Sequence, residues 1–209
     1  MADKKEPKKF TVDKNKQYLS TSVSGYYTTD YVGMGNPGNP NYLNDLKNQL
    51  NDFSKEKLDD AQNALRTVLQ DAIPEIIEQM GQREVTVCVV PRAKKNHGPK
   101  QLLFKSTVKD VIASIPNAID GTDYIARTKN TQITHLAKSN FENNDDPAPY
   151  PGITEQTCSI SENVRGKNIL LIDDIYTKSV NVDEDAIQAL LKNGANSVTF
   201  YAVAKTIRH

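Results

Sequence analysis

Residues 168–194, NILLIDDIYTKSVNVDEDAIQALLKNG, decide the fold. Asn168–Asp173 is an apolar run of the kind that forms a strand covered on both faces, and it ends in two adjacent acids. A short polar loop, residues 176–180, follows. A helix is then expected from Val182 to Asn193, with Asn181 as N-cap, Glu184 completing a capping box, and Gly194 as the residue that ends it.

The same alternation continues on either side. Val85–Val90 is a continuous β-branched run ended by Pro91, and Leu102–Ile115 has helical spacing up to Pro116. Short strands are expected at Tyr124–Arg127 and Thr157–Ile160, a helix at Thr131–Phe141, a loop through ENNDDPAPYPG at 142–152, and a last strand at Val198–Ala204. Strands alternating with helices define an α/β domain with a mostly parallel sheet, here over residues 82–209. Upstream, Leu43, Leu46, Leu50 and Phe53, then Leu58 to Met80, give a helix, a break near Ser54 and a second helix that Pro74 should kink or restart. Residues 20–81 thus form a Tyr/Gly/Pro-rich segment followed by helices, with one short strand near Tyr26–Val32. Four of nine tyrosines cluster between Tyr26 and Tyr42, where docking on the body of the protein is the expected role. Residues 1–19, polar and Lys-rich without periodicity, read as a flexible basic arm.

The chemistry concentrates where the strand at 168–173 meets the next helix. In a parallel sheet the carboxyl ends of the strands open onto a crevice, and the following helix presents free N–H groups and its positive end there. Two carboxylates beside an anion cradle suit a ligand that carries both hydroxyl groups and a phosphate. Asp173 and Asp174 are therefore the candidate catalytic residues.

The run LLIDDIYTKSVNVDEDAIQALLKNGANSVTFYAVAKT at 170–206 resembles the phosphoribosyl-pyrophosphate (PRPP) motif of type I phosphoribosyltransferases, in the ComF-like or amidophosphoribosyltransferase-like variety. Upstream, ARTKNTQITHLAKSNFENN carries a similar Arg127, Thr131, Gln132, Leu136, Asn143 or Asn144 pattern. VTVCVVPRAKK resembles the strand and pyrophosphate loop that open such domains. The resemblance covers about 85–206. It implies a doubly wound, mostly parallel α/β fold with an N-terminal helical extension, in which Asp173 and Asp174 face the ribose hydroxyls. It further implies that Tyr176, Thr177, Lys178, Ser179, Val180 and Asn181 surround the 5′-phosphate. Arg92, Ala93, Lys94 and Lys95 would approach the pyrophosphate with its Mg²⁺, and Arg127, Lys129 and Gln132 would lie on or beside a mobile loop. No direct protein ligand to the metal is implied. Homodimers are common in this family, and acceptor specificity lies in a variable hood, here residues 20–80.

The chain departs from that pattern at Lys178–Asn181, where the family has Thr-Gly-Ala-Thr. A positive φ at Ser179 would carry strain on the order of 1 kcal/mol, while Lys178 could offer a cation to phosphate. The family's zinc ribbon is also missing, since residues 1–81 hold no cysteine. Two functions follow. One is transfer of phosphoribosyl to a base or amine with release of pyrophosphate. The other is a catalytically inactive PRPP- or nucleotide-sensing or partner-binding subunit on the same fold.

Composition narrows the setting. The 209 residues balance 26 Lys+Arg against 26 Asp+Glu, but unevenly: residues 83–109 carry seven bases against Glu84, and 173–185 carry five acids against Lys178. No apolar stretch approaches a membrane span and no signal segment opens the chain, so a cytoplasmic protein without membrane contact is expected. Cys88 and Cys158 lie in apolar runs and read as buried small hydrophobes. Nucleic-acid binding by the basic stretches at 1–16 and 92–109 lacks a supporting module. Gly33, Gly35 and Gly38 spell a dinucleotide fingerprint, but Pro37 and Pro40 make it a loop. His97, His135 and His209 lack metal-ligand spacing; only His97 sits beside the basic loop.

Overall fold

The computed structural model describes residues 6–47, 52–131 and 152–207. They form an α/β fold around a mixed six-stranded sheet with four α-helices. In chain order the strands are β1 (Lys8–Val12), β2 (Val23–Tyr31), β3 (Val85–Val89), β4 (Ala118–Asp120), β5 (Ile125–Arg127), β6 (Cys158–Ile160), β7 (Asn168–Tyr176) and β8 (Ser197–Thr206). The helices are α1 (Asn41–Lys47), α2 (Lys55–Met80), α3 (Leu103–Ile112) and α4 (Val182–Lys192). The sheet order is β1-β2-β8-β7-β3-β4, with only β1 antiparallel to its neighbour. From β3 the chain crosses by α3 to β4 on one side, and from β7 by α4 to β8 on the other. The direction of progression therefore reverses between β3 and β7.

Strand alternation explains the two cores. Val85, Val87 and Val89 of β3 and Leu170 and Ile172 of β7 face α1, α2 and α3, packing on Leu46, Leu65, Leu69, Ile73 and Val111. Cys88, Ile169 and Leu171 face the other way, onto Ala186, Ile187 and Leu190 of α4. Each fully buried aliphatic side chain contributes roughly 1.5–3 kcal/mol, so the uninterrupted apolar runs of β3 and β7 match their place in the middle of the sheet. Both cysteines are buried free thiols, and burial pushes Cys88 up to about 12.

Several expectations need correction. Residues 8–19 are not a loose arm: β1 pairs with β2 in register, and Val12 and Leu19 are buried. β2 pairs in parallel with β8, so the sheet does not begin at residue 82. Pro74 neither ends nor restarts its helix; α2 runs from Lys55 to Met80, capped by the Ser54 hydroxyl and left-handed Gly81. The lost N–H bond is offset by the complete burial of the neighbouring Ala72, Ile73 and Ile76. The strand expected near Tyr124 and that at Thr157 pair with each other, β5 with β6, outside the main sheet. β4, which completes the main sheet, has no counterpart in the sequence reading. The helix expected at Thr131–Phe141 and the 142–151 loop lie outside the described residues, as do Gln132, Leu136, Asn143 and Asn144. Gly33, Gly35 and Gly38 all have positive φ in the β2–α1 loop, as a Gly/Pro loop requires. Tyr26 is buried, in line with docking of the tyrosine cluster. No helix among the described residues is long and apolar enough to cross a membrane.

Candidate functional site

β7 outruns β3. The last pair between them is Val89 with Ile172, closed by the Val90 N–H on the Ile172 carbonyl, whereas β7 stays paired with β8 as far as Tyr176. Asp173 and Asp174 are thus inside β7, at the point where its β3 side falls open. A cleft of about 820 Å³ begins there. The loop after β3, residues 90–97, lines one side, and Thr177, Val180, Val182 and Asp183 line another, with Tyr31 and Lys47 also at its walls. The cleft lies at the carboxyl ends of the strands and at the reversal of strand order, the place where open α/β sheets bind ligands.

The two aspartates serve opposite faces. Asp174 reaches the helix side, where Lys47 Nζ of α1 stands 3.4 Å from its Oδ2. Asp173 meets the carboxyl of Asp183 on α4. Burial, then the nearby Asp174 charge, pushes Asp173 up to about 7. Burial and the Asp173 charge hold Asp183 well above the ordinary carboxylate range. Two carboxyls in contact resist ionising together, so the pair holds a proton to higher pH than an isolated aspartate does.

The expected phosphate loop divides. Thr177 and Val180 line the cleft, and the Thr177 hydroxyl is hydrogen-bonded to that of Thr206 at 2.7 Å. Lys178 turns outward to Asp13, 2.8 Å away, and with Asn181 lines a separate depression of about 470 Å³ beside residues 13–18. Tyr176 points away from the cleft as well: its ring packs on Phe10 and Phe200, and its hydroxyl donates to Glu184 Oε1 at 2.8 Å. Ser179 does not carry the strain expected of it; among the described residues the only non-glycine with positive φ is Asn181, at 61°. Asparagine tolerates that conformation. Its side chain does not cap α4, and Glu184 is engaged by Tyr176, so the expected capping box does not form. The other end behaves as expected: Gly194 is left-handed, and the N–H groups of Gly194 and Ala195 bond Leu191 and Leu190.

The two arginines are used internally. Arg92 donates to the carbonyls of Leu46, Lys47 and Gln101, closing the end of α1. Arg127, 8% exposed, donates to the carbonyls of Arg92 and Gly152, so it ties segments together and does not project from a loop. Ala93 accepts from the buried Thr131, and the Lys95 N–H donates to Asn130. These bonds anchor the loop after β3 to residues 130–131. Lys94 remains at the cleft wall with Lys95, while Lys129 is exposed outside it. Further along the basic stretch Lys100, Lys105 and Lys109 pair with Asp52, Asp123 and Asp120. The local excess of bases is therefore largely neutralised. His97 also lines the cleft, and burial with the neighbouring Arg92 charge lowers its pKa.

Asp183 and Lys47 escaped the sequence reading. Asp183 had a signal, because it stands three, four and seven residues before Ala186, Ile187 and Leu190, on the apolar face of α4. Lys47 had none. Among the described residues no cluster of three or more His, Cys, Asp or Glu could hold a metal ion. No family model matches the chain, and no curated protein matches it.

Proposed function

We propose that this chain is a phosphoribosyltransferase-like protein of doubly wound topology, which binds PRPP in the cleft and transfers its phosphoribosyl group to a base or amine. The observation that carries this reading is the Asp173–Asp174 pair at the open side of β7, inside a large cleft at the reversal of strand order. Mg²⁺ belongs to the substrate here, arriving on the diphosphate. In the transfer, the bond from ribose C1 to the diphosphate oxygen breaks and its electron pair leaves with pyrophosphate. The lone pair of the acceptor nitrogen forms the new C1–N bond, and that nitrogen gives up a proton. Positive charge spreads over C1 and the ring oxygen as the leaving group departs, and the Asp174 carboxylate is the group in the cleft suited to lower its energy. Lys47, Lys94 and Lys95 are cations that line the cleft beside the anionic ligand.

A second reading, binding without transfer, is favoured by a specific observation. Arg92 and Arg127 are engaged by backbone carbonyls, and Lys178 is turned to Asp13, which leaves few cations for a diphosphate. Calorimetry with PRPP and Mg²⁺, beside an assay of pyrophosphate release with a panel of amines and bases, separates the two. Saturable binding with acceptor-dependent pyrophosphate release, both lost in Asp174→Asn, supports transfer. Binding without release supports the second reading, and no binding by the unaltered protein sinks both.

A further inference from the structure

Asp183 is on the wrong side of its helix for a surface acid. It shares the buried face of α4 with Ala186, Ile187 and Leu190, and it is 5% exposed. It lines the cleft, its carboxyl meets that of Asp173, and no described residue donates a hydrogen bond to its Oδ1. Among the described residues the groups around the pair compensate it only in part: the Lys47 charge favours ionised Asp173, but less than burial and the Asp174 charge oppose it. Lys47 lies against Asp174, the Tyr176 hydroxyl is committed to Glu184, and Glu184 and Asp174 are themselves acidic. A carboxyl pair of which one member is buried with an unpartnered oxygen is costly unless something in the cleft uses it.

A carboxyl and a carboxylate sharing one proton use it between themselves and leave several acceptor oxygens, Asp183 Oδ1 among them, with one negative charge in place of two. Two adjacent sugar hydroxyls offer the complement, two O–H donors. A phosphate would be repelled at the same place, since it brings further negative charge and no proton to give. We propose that Asp183 contacts the ligand directly, and that Asp173 and Asp183 act as one hydrogen-bonding unit gripping vicinal hydroxyls of a pentose phosphate. This rests on the reading of the cleft as a PRPP site and adds to it a residue outside the Asp173–Asp174 motif.

The test uses the full chain and two probes, ribose 5-phosphate and 2-deoxyribose 5-phosphate, titrated calorimetrically in buffers of different ionisation enthalpy. The unaltered protein should prefer the ribose form by roughly 10-fold or more, because a site built to bond a hydroxyl rejects the analogue that lacks it. Asp183→Ala should bring the two probes within about 2-fold of each other. Asp183→Asn, which keeps a donor and an acceptor, should restore much of the preference but reduce the pH-dependent proton exchange on binding, since Asp173 still titrates. Thermal melts confirm that both variants are folded. An Asp183→Ala protein that discriminates as well as the unaltered one overturns the inference and leaves the PRPP reading standing. Failure of the unaltered protein to bind either probe overturns both. The expected pattern without pyrophosphate release from PRPP upholds the grip on the hydroxyls and refutes transfer.

Discussion

Raising the pH from about 4.5 to about 7.5 should weaken the folded protein through the Asp173–Asp183 pair. In the unfolded chain an aspartate loses its proton near an ordinary value of about 3.9; in the fold Asp173 holds it up to about 7. Between those two values the folded state binds a proton that the unfolded state has released, so stability falls as the pH rises and levels off above the folded value. Each tenfold in proton affinity is worth ~1.4 kcal/mol, so the interval amounts to ~4 kcal/mol at most. Asp173 is half-buried at the cleft, and solvent screening reduces this to ~2 kcal/mol. Asp183 adds to the loss in the same direction. The measurement is urea unfolding at both pH values for the unaltered protein and for the Asp173→Asn/Asp183→Asn double variant, in which the pair cannot titrate. The unaltered protein should lose ~2 kcal/mol more than the variant, or ~4–8 °C in melting temperature for a chain of this size. Equal losses in the two proteins, or a smaller loss in the unaltered one, would refute the proton-sharing pair.

Two substitutions probe residues that the sequence assigned to the ligand and the fold uses elsewhere. Arg92→Lys should lower the melting temperature in a calorimetric scan by ~4–8 °C, about 2 kcal/mol, because an ammonium cannot bond the carbonyls of Leu46, Lys47 and Gln101 together; an unchanged melt would mean that those bonds do not hold the end of α1. Tyr176→Phe removes only the hydroxyl that serves Glu184, so urea unfolding should show a loss of ~1–3 kcal/mol with sugar-phosphate affinity unaltered. A large drop in affinity would put Tyr176 back in the ligand site.

The middle of the sheet was legible because its strands are covered on both faces and so carry unbroken apolar runs. Asn168–Ile172 and Val85–Val89 could hardly be anything else, and Gly194 fixed the end of α4. The edges were not. Residues 118–120 form a three-residue strand with two exposed side chains, too short for any alternation to register. Lys8–Val12 reads as a charged arm because only Phe10 and Val12 face the protein among lysines that face water. The candidate site divides in the same way. Asp173 and Asp174 stand out because charge at the end of an apolar run is unusual, but charge alone does not say where a side chain goes. Arg92 and Arg127 turned inward to carbonyls, and Lys178 turned outward to Asp13. Asp183 was hidden by its position, since acids are ordinary in the first turn of a helix; only its place on the apolar face set it apart.

The pairing of β2 with β8 sets the order in which this protein can be assembled. Thr28 Oγ1 hydrogen-bonds the Tyr201 hydroxyl at 2.8 Å across 173 positions of the chain. During synthesis the β1–β2 hairpin emerges first, and its partner strand emerges only after every other element of the sheet has been made. Until then the β2 edge that β8 will cover is open as well as the outer edge of β1, and the hairpin's apolar face has nothing to cover it, the condition in which strands pair with the wrong neighbour. Contacts this distant in sequence also make for slow folding. The lysines of β1 are well placed to keep that waiting hairpin in solution, and a ribosome that stalls before residue 197 would release a chain whose first strands have no sheet to join.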